Sequence, residues 1–93
     1  MMANETFNSV WDALADTPAE AANLKAKAAL MQQISAYIAA QDWTQDEAAK
    51  QCKITQPRMN DLLRGRISKF SMDALINIAS AMGKAVHIEL EAA

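Results

Sequence analysis

Histidine and cysteine are almost missing from this chain: there is one of each, His87 and Cys52, among 93 residues. A lone cysteine leaves no internal disulfide and no cysteine cluster for zinc. A lone histidine gives neither a zinc site nor a Cys-His catalytic pair the other ligands or partners it would need. The two glycines, Gly65 and Gly83, are far apart, so no glycine-rich phosphate loop exists. The remaining carboxylates and serines fall at no recognisable catalytic spacing. We therefore expect no enzyme, no metal and no cofactor. There is no apolar run long enough to span a bilayer, and the first residues lack the basic start and hydrophobic core of a secretory signal. The expectation is a cytoplasmic protein with no membrane association.

The composition that is present suits one compact domain, with a hydrophobic share of 52% to which alanine contributes much. A formal net charge of -2 conceals a segregation of charge along the chain. Residues 1–23 carry Glu5, Asp12, Asp16 and Glu20 with no Lys or Arg, whereas residues 50–69 carry Lys50, Lys53, Arg58, Arg64, Arg66 and Lys69 against Asp61 alone. The local field decides which partner a surface attracts, so an acidic chain can present a basic face to phosphates. Outside that stretch the charges read as an ordinary solvated surface.

The basic stretch overlaps the most informative segment, Trp43 to Phe70. Thr44-Gln45-Asp46-Glu47 has the form of a capping box, which starts a helix at about Gln45. Ala48, Ala49 and Cys52 form its inward stripe, and the small Ala49 lets a second helix cross closely. Cys52 reads as a buried core thiol. Thr55 is the next N-cap, and Pro57 is tolerated in a first turn that has spare amides. This helix starts at Gln56 and stops before Gly65. Met59, Leu62 and Leu63 are expected to pack inward, leaving a polar outer face.

On that face Gln56, Arg58 and Asn60 have the chemistry to read base edges in a major groove, since Gln and Asn pair bidentately with adenine and Arg with guanine. Asp61 suits either a cytosine amine or the orientation of Arg58. Lys53, Arg64, Arg66 and Lys69, in the turn and the following loop, are better placed for phosphates. Gln45, at the positive end of its helix, adds a further phosphate contact. A capping box alone indicates nothing about DNA, and short helix pairs occur in many helical proteins. The joint pattern of cap, small Ala49, Thr55-Gln56 and Gly65 is far more specific.

These residues carry a resemblance. T-Q-x-E-x-A at 44–49, Ile54, T-Q at 55–56 and L-x-R-G at 62–65 are similar to the Cro/cI (XRE) helix-turn-helix family. With L-K-A-K-A at 24–28, T-Q-P-R-M-N-D-L-L-R-G at 55–65 and F-S-M-D-A-L at 70–75, the chain resembles the bacterial subgroup that includes HigA-like antitoxins, over roughly residues 7–90. The resemblance implies a backbone contact for Gln45 and a groove-facing position for Gln56, Pro57, Arg58, Asn60 and Asp61. One departure is Lys53, where the family's turn usually has a glycine of positive φ; a side chain there costs about 1 kcal/mol.

Around the motif, Thr17-Pro18-Ala19-Glu20 starts a helix expected from about Pro18 to Gln41, with Leu24, Ala28, Met31, Ile34 or Ser35, and Ile38 as its core stripe. Phe7 to Leu14 reads as a shorter helix that either folds back on the domain or binds a basic partner such as a ribonuclease toxin. Ser71 caps a last helix with Leu75, Ile76, Ile78, Ala79 and Met82 on its apolar face, ended by Gly83. From Ala85 to Glu91 the period changes to two, with Val86, Ile88 and Leu90 on one side, which reads as a β-strand. A lone strand needs a partner, either its own copy across a two-fold axis or another protein's sheet.

The expected architecture is mainly α: a five-helix, lambda-repressor-like helix-turn-helix domain with a C-terminal β-strand for dimerisation. Its divisions are an acidic N-terminal segment at 1–16, the DNA-binding domain at 17–84, and the strand and tail at 85–93. The expected function is a sequence-specific DNA-binding transcriptional regulator. It would be a repressor that binds double-stranded DNA as a homodimer on a palindromic operator. By the resemblance it is either the antitoxin of a toxin-antitoxin pair repressing its own operon or a solitary or phage-type regulator with no toxin partner.

Overall fold

The computed structural model describes residues 15–92. Among them are four α-helices, α1 (Pro18–Ala39), α2 (Gln45–Cys52), α3 (Gln56–Leu63) and α4 (Met72–Ala81), with a 3-10 turn at Ile67–Lys69 between the last two. The helix expected at 7–14 lies outside the described residues.

Each α-helix begins where a short hydroxyl side chain satisfies an otherwise orphaned first-turn amide. Thr17 Oγ1 accepts from the Glu20 amide at 3.1 Å, Thr44 Oγ1 from Glu47 at 3.1 Å, Thr55 Oγ1 from Arg58 at 3.3 Å and Ser71 Oγ from Ala74 at 3.1 Å. Gly65 and Gly83 follow the ends of α3 and α4 in the left-handed region, at φ of 70° and 78°. α1 stops at Ala39, slightly before the expected Gln41. The chain turns there through Asp42, another left-handed residue at φ 58°.

The helices close around one core. Met31, Ile34 and Ile38 come from α1, Ala48, Ala49 and Cys52 from α2, Met59 and Leu62 from α3, and Leu75, Ile78 and Ala79 from α4. Phe70, between the 3-10 turn and α4, is buried among them. The α1 stripe therefore uses Ile34 rather than Ser35, while Leu24 is only half-buried. α4 buries Leu75, Ile78 and Ala79, with Ile76 and Met82 half-buried at its margin. Lys27 of α1 donates from Nζ to the Phe70 carbonyl at 3.1 Å, which ties the long helix to the loop before α4.

Two sequence expectations require correction. Leu63, assigned to the core with Met59 and Leu62, is 41% exposed. An eight-residue helix packed along one side has room for a narrow stripe only, and position 63 falls beyond its edge. Residues 84–92 form no strand and carry no regular structure. A strand exists through ladder hydrogen bonds to a neighbour, and the described residues offer it no sheet edge. Val86 is half-buried against the core, whereas Ile88 and Leu90 are 69% and 103% exposed.

Candidate nucleic-acid interface

The interface is built on α2, the turn after it and α3. At the start of α2 both halves of the capping box are formed: Thr44 accepts from Glu47, and the Glu47 carboxylate accepts from the Thr44 amide at 3.4 Å and its hydroxyl at 3.0 Å. This fixes the first turn of α2, beside which Gln45 is exposed. At the other end Lys53 takes a left-handed conformation, φ 58° and ψ 41°. The Ile54 amide then reaches the Ala49 carbonyl at 3.0 Å, and Ile54 packs against the core. A lysine thus holds the conformation that glycine adopts without steric cost. Thr55 caps α3 immediately afterwards, so the two helices are joined by three residues, 53–55.

Burial of Ala48 and Ala49 brings α3 close to α2, and burial of Met59 and Leu62 fixes the rotation of α3 about its axis. Gln56 and Pro57, in its first turn, are exposed, while Asn60 is half-buried. Gln56 is not free: its Nε2 donates to Asp46 Oδ1 of α2 at 2.8 Å. The other carboxylate oxygen of Asp46 meets Lys50 Nζ at 3.2 Å. The bond from Gln56, followed by the nearby lysine, holds the Asp46 carboxyl below its ordinary range, so it is ionised at neutral pH.

Arg58 and Asp61 are likewise engaged. The Arg58 guanidinium lies 4.4 Å from the centre of the Phe70 ring and donates from Nη1 to the Lys69 carbonyl at 3.0 Å. It clamps α3 to the loop that leads into α4. Asp61 accepts from Arg66 Nη1 at 2.8 Å. Of the two roles open to Asp61, orientation of Arg58 is not the one observed: Arg66 is its partner, and Arg58 is held by Phe70 and the Lys69 carbonyl. Lys53, Arg64 and Lys69 are exposed around the same region and supply its positive field.

Asp46, Phe70 and Lys27 occur in the sequence motifs, but nothing local in the sequence assigns them these contacts. Only the Asp46–Lys50 pairing at i,i+4 was readable locally. The Asp46–Gln56 and Arg58–Phe70 contacts join separate elements.

Residues 13–91 match the family described as helix-turn-helix domain. The chain belongs to this family. No curated protein and no solved structure matches it significantly. In helix-turn-helix domains the second helix of the pair is the one that enters the major groove, and α3 is the second helix of the pair in this chain. The family is a DNA-binding one. Among the described residues no three His, Cys, Asp or Glu side chains group to hold a metal ion, and no helix is long and apolar enough to cross a membrane.

Proposed function

We propose that the protein is a sequence-specific DNA-binding transcriptional regulator that represses its target. The observation that carries this reading is the three-residue turn between α2 and α3. It leaves Gln56 and Pro57 exposed at the start of α3, with Lys53, Arg64 and Lys69 exposed nearby. Gln56, Pro57, Arg58, Asn60 and Asp61 are the proposed base-facing residues; Gln45, Lys53, Arg64, Arg66 and Lys69 are the proposed backbone contacts. Arg58 and Asp61 would have to exchange present partners for bases, whereas Gln56 keeps its amide oxygen and one N–H while bonded to Asp46, so Gln56 and Asn60 take the larger share of readout. Arg58 then contributes mainly by holding the loop that carries Lys69.

The regulator is proposed to act as a homodimer on a palindromic operator, with recognition helices about 34 Å apart. The exposed Ile88 and Leu90 on the C-terminal tail support association with a second copy. The similarity of 24–28, 55–65 and 70–75 to HigA-like proteins supports the narrower reading of an antitoxin that represses its own operon. A solitary regulator would have the same interface without a toxin partner.

Fluorescence anisotropy with a duplex from upstream of the protein's own gene, beside a scrambled duplex, tests the proposal across a salt series. The expected result is tight, salt-sensitive preference for the native duplex. Equal weak binding to both would contradict autoregulation at that site. Co-purification of a small basic partner would favour the antitoxin over the solitary regulator.

A further inference from the structure

Asp46 lies on α2, outside the set of residues proposed to touch DNA, yet its carboxylate is shared between the first residue of α3 and a lysine one turn along α2. Oδ1 accepts from Gln56 Nε2 at 2.8 Å, while Oδ2 faces Lys50 Nζ at 3.2 Å. An amide group can normally turn over, exchanging its donor and acceptor ends. An ionised carboxylate can only accept, so the end of Gln56 that faces Asp46 must be nitrogen. The amide oxygen is thereby directed away from Asp46, with one hydrogen on Nε2 still uncommitted.

That choice of orientation has a consequence for base recognition. In the major groove adenine presents a donor at N6 and an acceptor at N7, whereas guanine presents acceptors at both O6 and N7. A glutamine that offers its oxygen together with its remaining N–H complements adenine. The same oxygen faces only acceptors on guanine. Lys50 matters as well, because it balances the charge of a carboxylate that must approach a phosphate-rich surface.

We propose that Asp46 is a specificity-determining positioning residue that makes Gln56 an adenine reader and disfavours guanine at the same place; this rests on the regulator reading above. Asp46 does not itself contact the base. It works by removing one of the two amide orientations. Without it Gln56 can turn its nitrogen outward and accept guanine.

The test is enrichment from a randomised duplex pool with the full chain, as wild type, Asp46→Ala, Asp46→Asn and Gln56→Ala, read as relative affinities by sequencing. Wild type should enrich an adenine in each half-site, preferred over guanine by about tenfold. Gln56→Ala should lose that preference. Asp46→Ala should reduce it to about threefold or less, leaving the other positions unchanged. Asp46→Asn should fall between, since its own amide can present either end to Gln56. The Gln56 side-chain NH2 resonances of the free protein give a reading that needs no DNA: they should shift in the isosteric Asp46→Asn. If wild type enriches a sequence and Asp46→Ala retains the full adenine preference, the assignment to Asp46 is overturned alone. Enrichment of no sequence by wild type would overturn the regulator reading and this inference with it.

Discussion

The α2–α3 pair and the C-terminal tail both have a clear pattern in sequence, yet only the pair forms the structure that its pattern announces. In the pair, Thr44 and Thr55 satisfy the opening amides of their own helices, and Ala48, Ala49, Cys52, Met59 and Leu62 bury one face of each. The caps and the buried face of each helix are supplied within the chain. The tail alternates as cleanly from Ala85 to Glu91, but its backbone groups need a second strand and its Ile88 and Leu90 need a surface. Periodicity describes which side chains want to share a face, while formation of the element depends on a partner within reach.

The sharpest way to break this comparison is to attack burial in the pair and compare it with the tail. Leu62→Ala should destabilise the fold by about 2 to 5 kcal/mol in urea denaturation, because the side chain is fully buried. Its neighbour Leu63, 41% exposed, should lose well under 1 kcal/mol on the same substitution. Equal losses would mean that α3 is rotated relative to the core. Ile88→Ala and Leu90→Ala should leave monomer stability nearly unchanged. Their expected effect is on association, followed by sedimentation over a concentration series.

A smaller effect should appear at Arg58. Removing its guanidinium from the Phe70 ring and the Lys69 carbonyl should cost about 1 kcal/mol of stability, independent of any loss in DNA affinity. Unchanged stability would contradict the clamp. Lys53→Gly should stabilise by about 1 kcal/mol, since φ 58° is unfavourable for lysine. It should also lower the magnitude of the salt slope for DNA by about 1 if Lys53 contacts phosphate. A stabilised variant with unchanged slope would separate the turn's shape from the interface.

The pair's polar link should also be insensitive to mild acid. Asp46 is held below its ordinary range by Gln56 and then Lys50, so its contribution is present above the unfolded pKa and lost only as pH falls through the lower folded value. The Gln56 side-chain resonances should therefore hold steady from neutral pH to about pH 5. Movement in that interval would point to a different partner for Gln56.

Much of the fold was legible because its signals are local. Thr17, Thr44, Thr55 and Ser71 each act within three residues, and the glycines at 65 and 83 end helices through their own φ. The candidate interface was legible as a set of residue types, because a capped helix with an inward Met59 and Leu62 leaves Pro57 on the opposite side and Gln56 flanking the buried stripe in the first turn. What those side chains touch was not. Gln56 with Asp46, Arg58 with Phe70 and Lys27 with the Phe70 carbonyl join positions that only packing brings together. Leu63 was misplaced because helical spacing gives the direction of a side chain, not the width of the surface that covers it.

The most direct test is amide chemical-shift mapping of the full chain during titration with its upstream duplex. The account predicts that perturbations concentrate between residues 44 and 69, led by Gln45, Gln56, Asn60 and Arg64, with little change on the exposed side of α1 at Lys25 and Ala29. Perturbation centred on α1 or the C-terminal tail, with α2 and α3 silent, would contradict it.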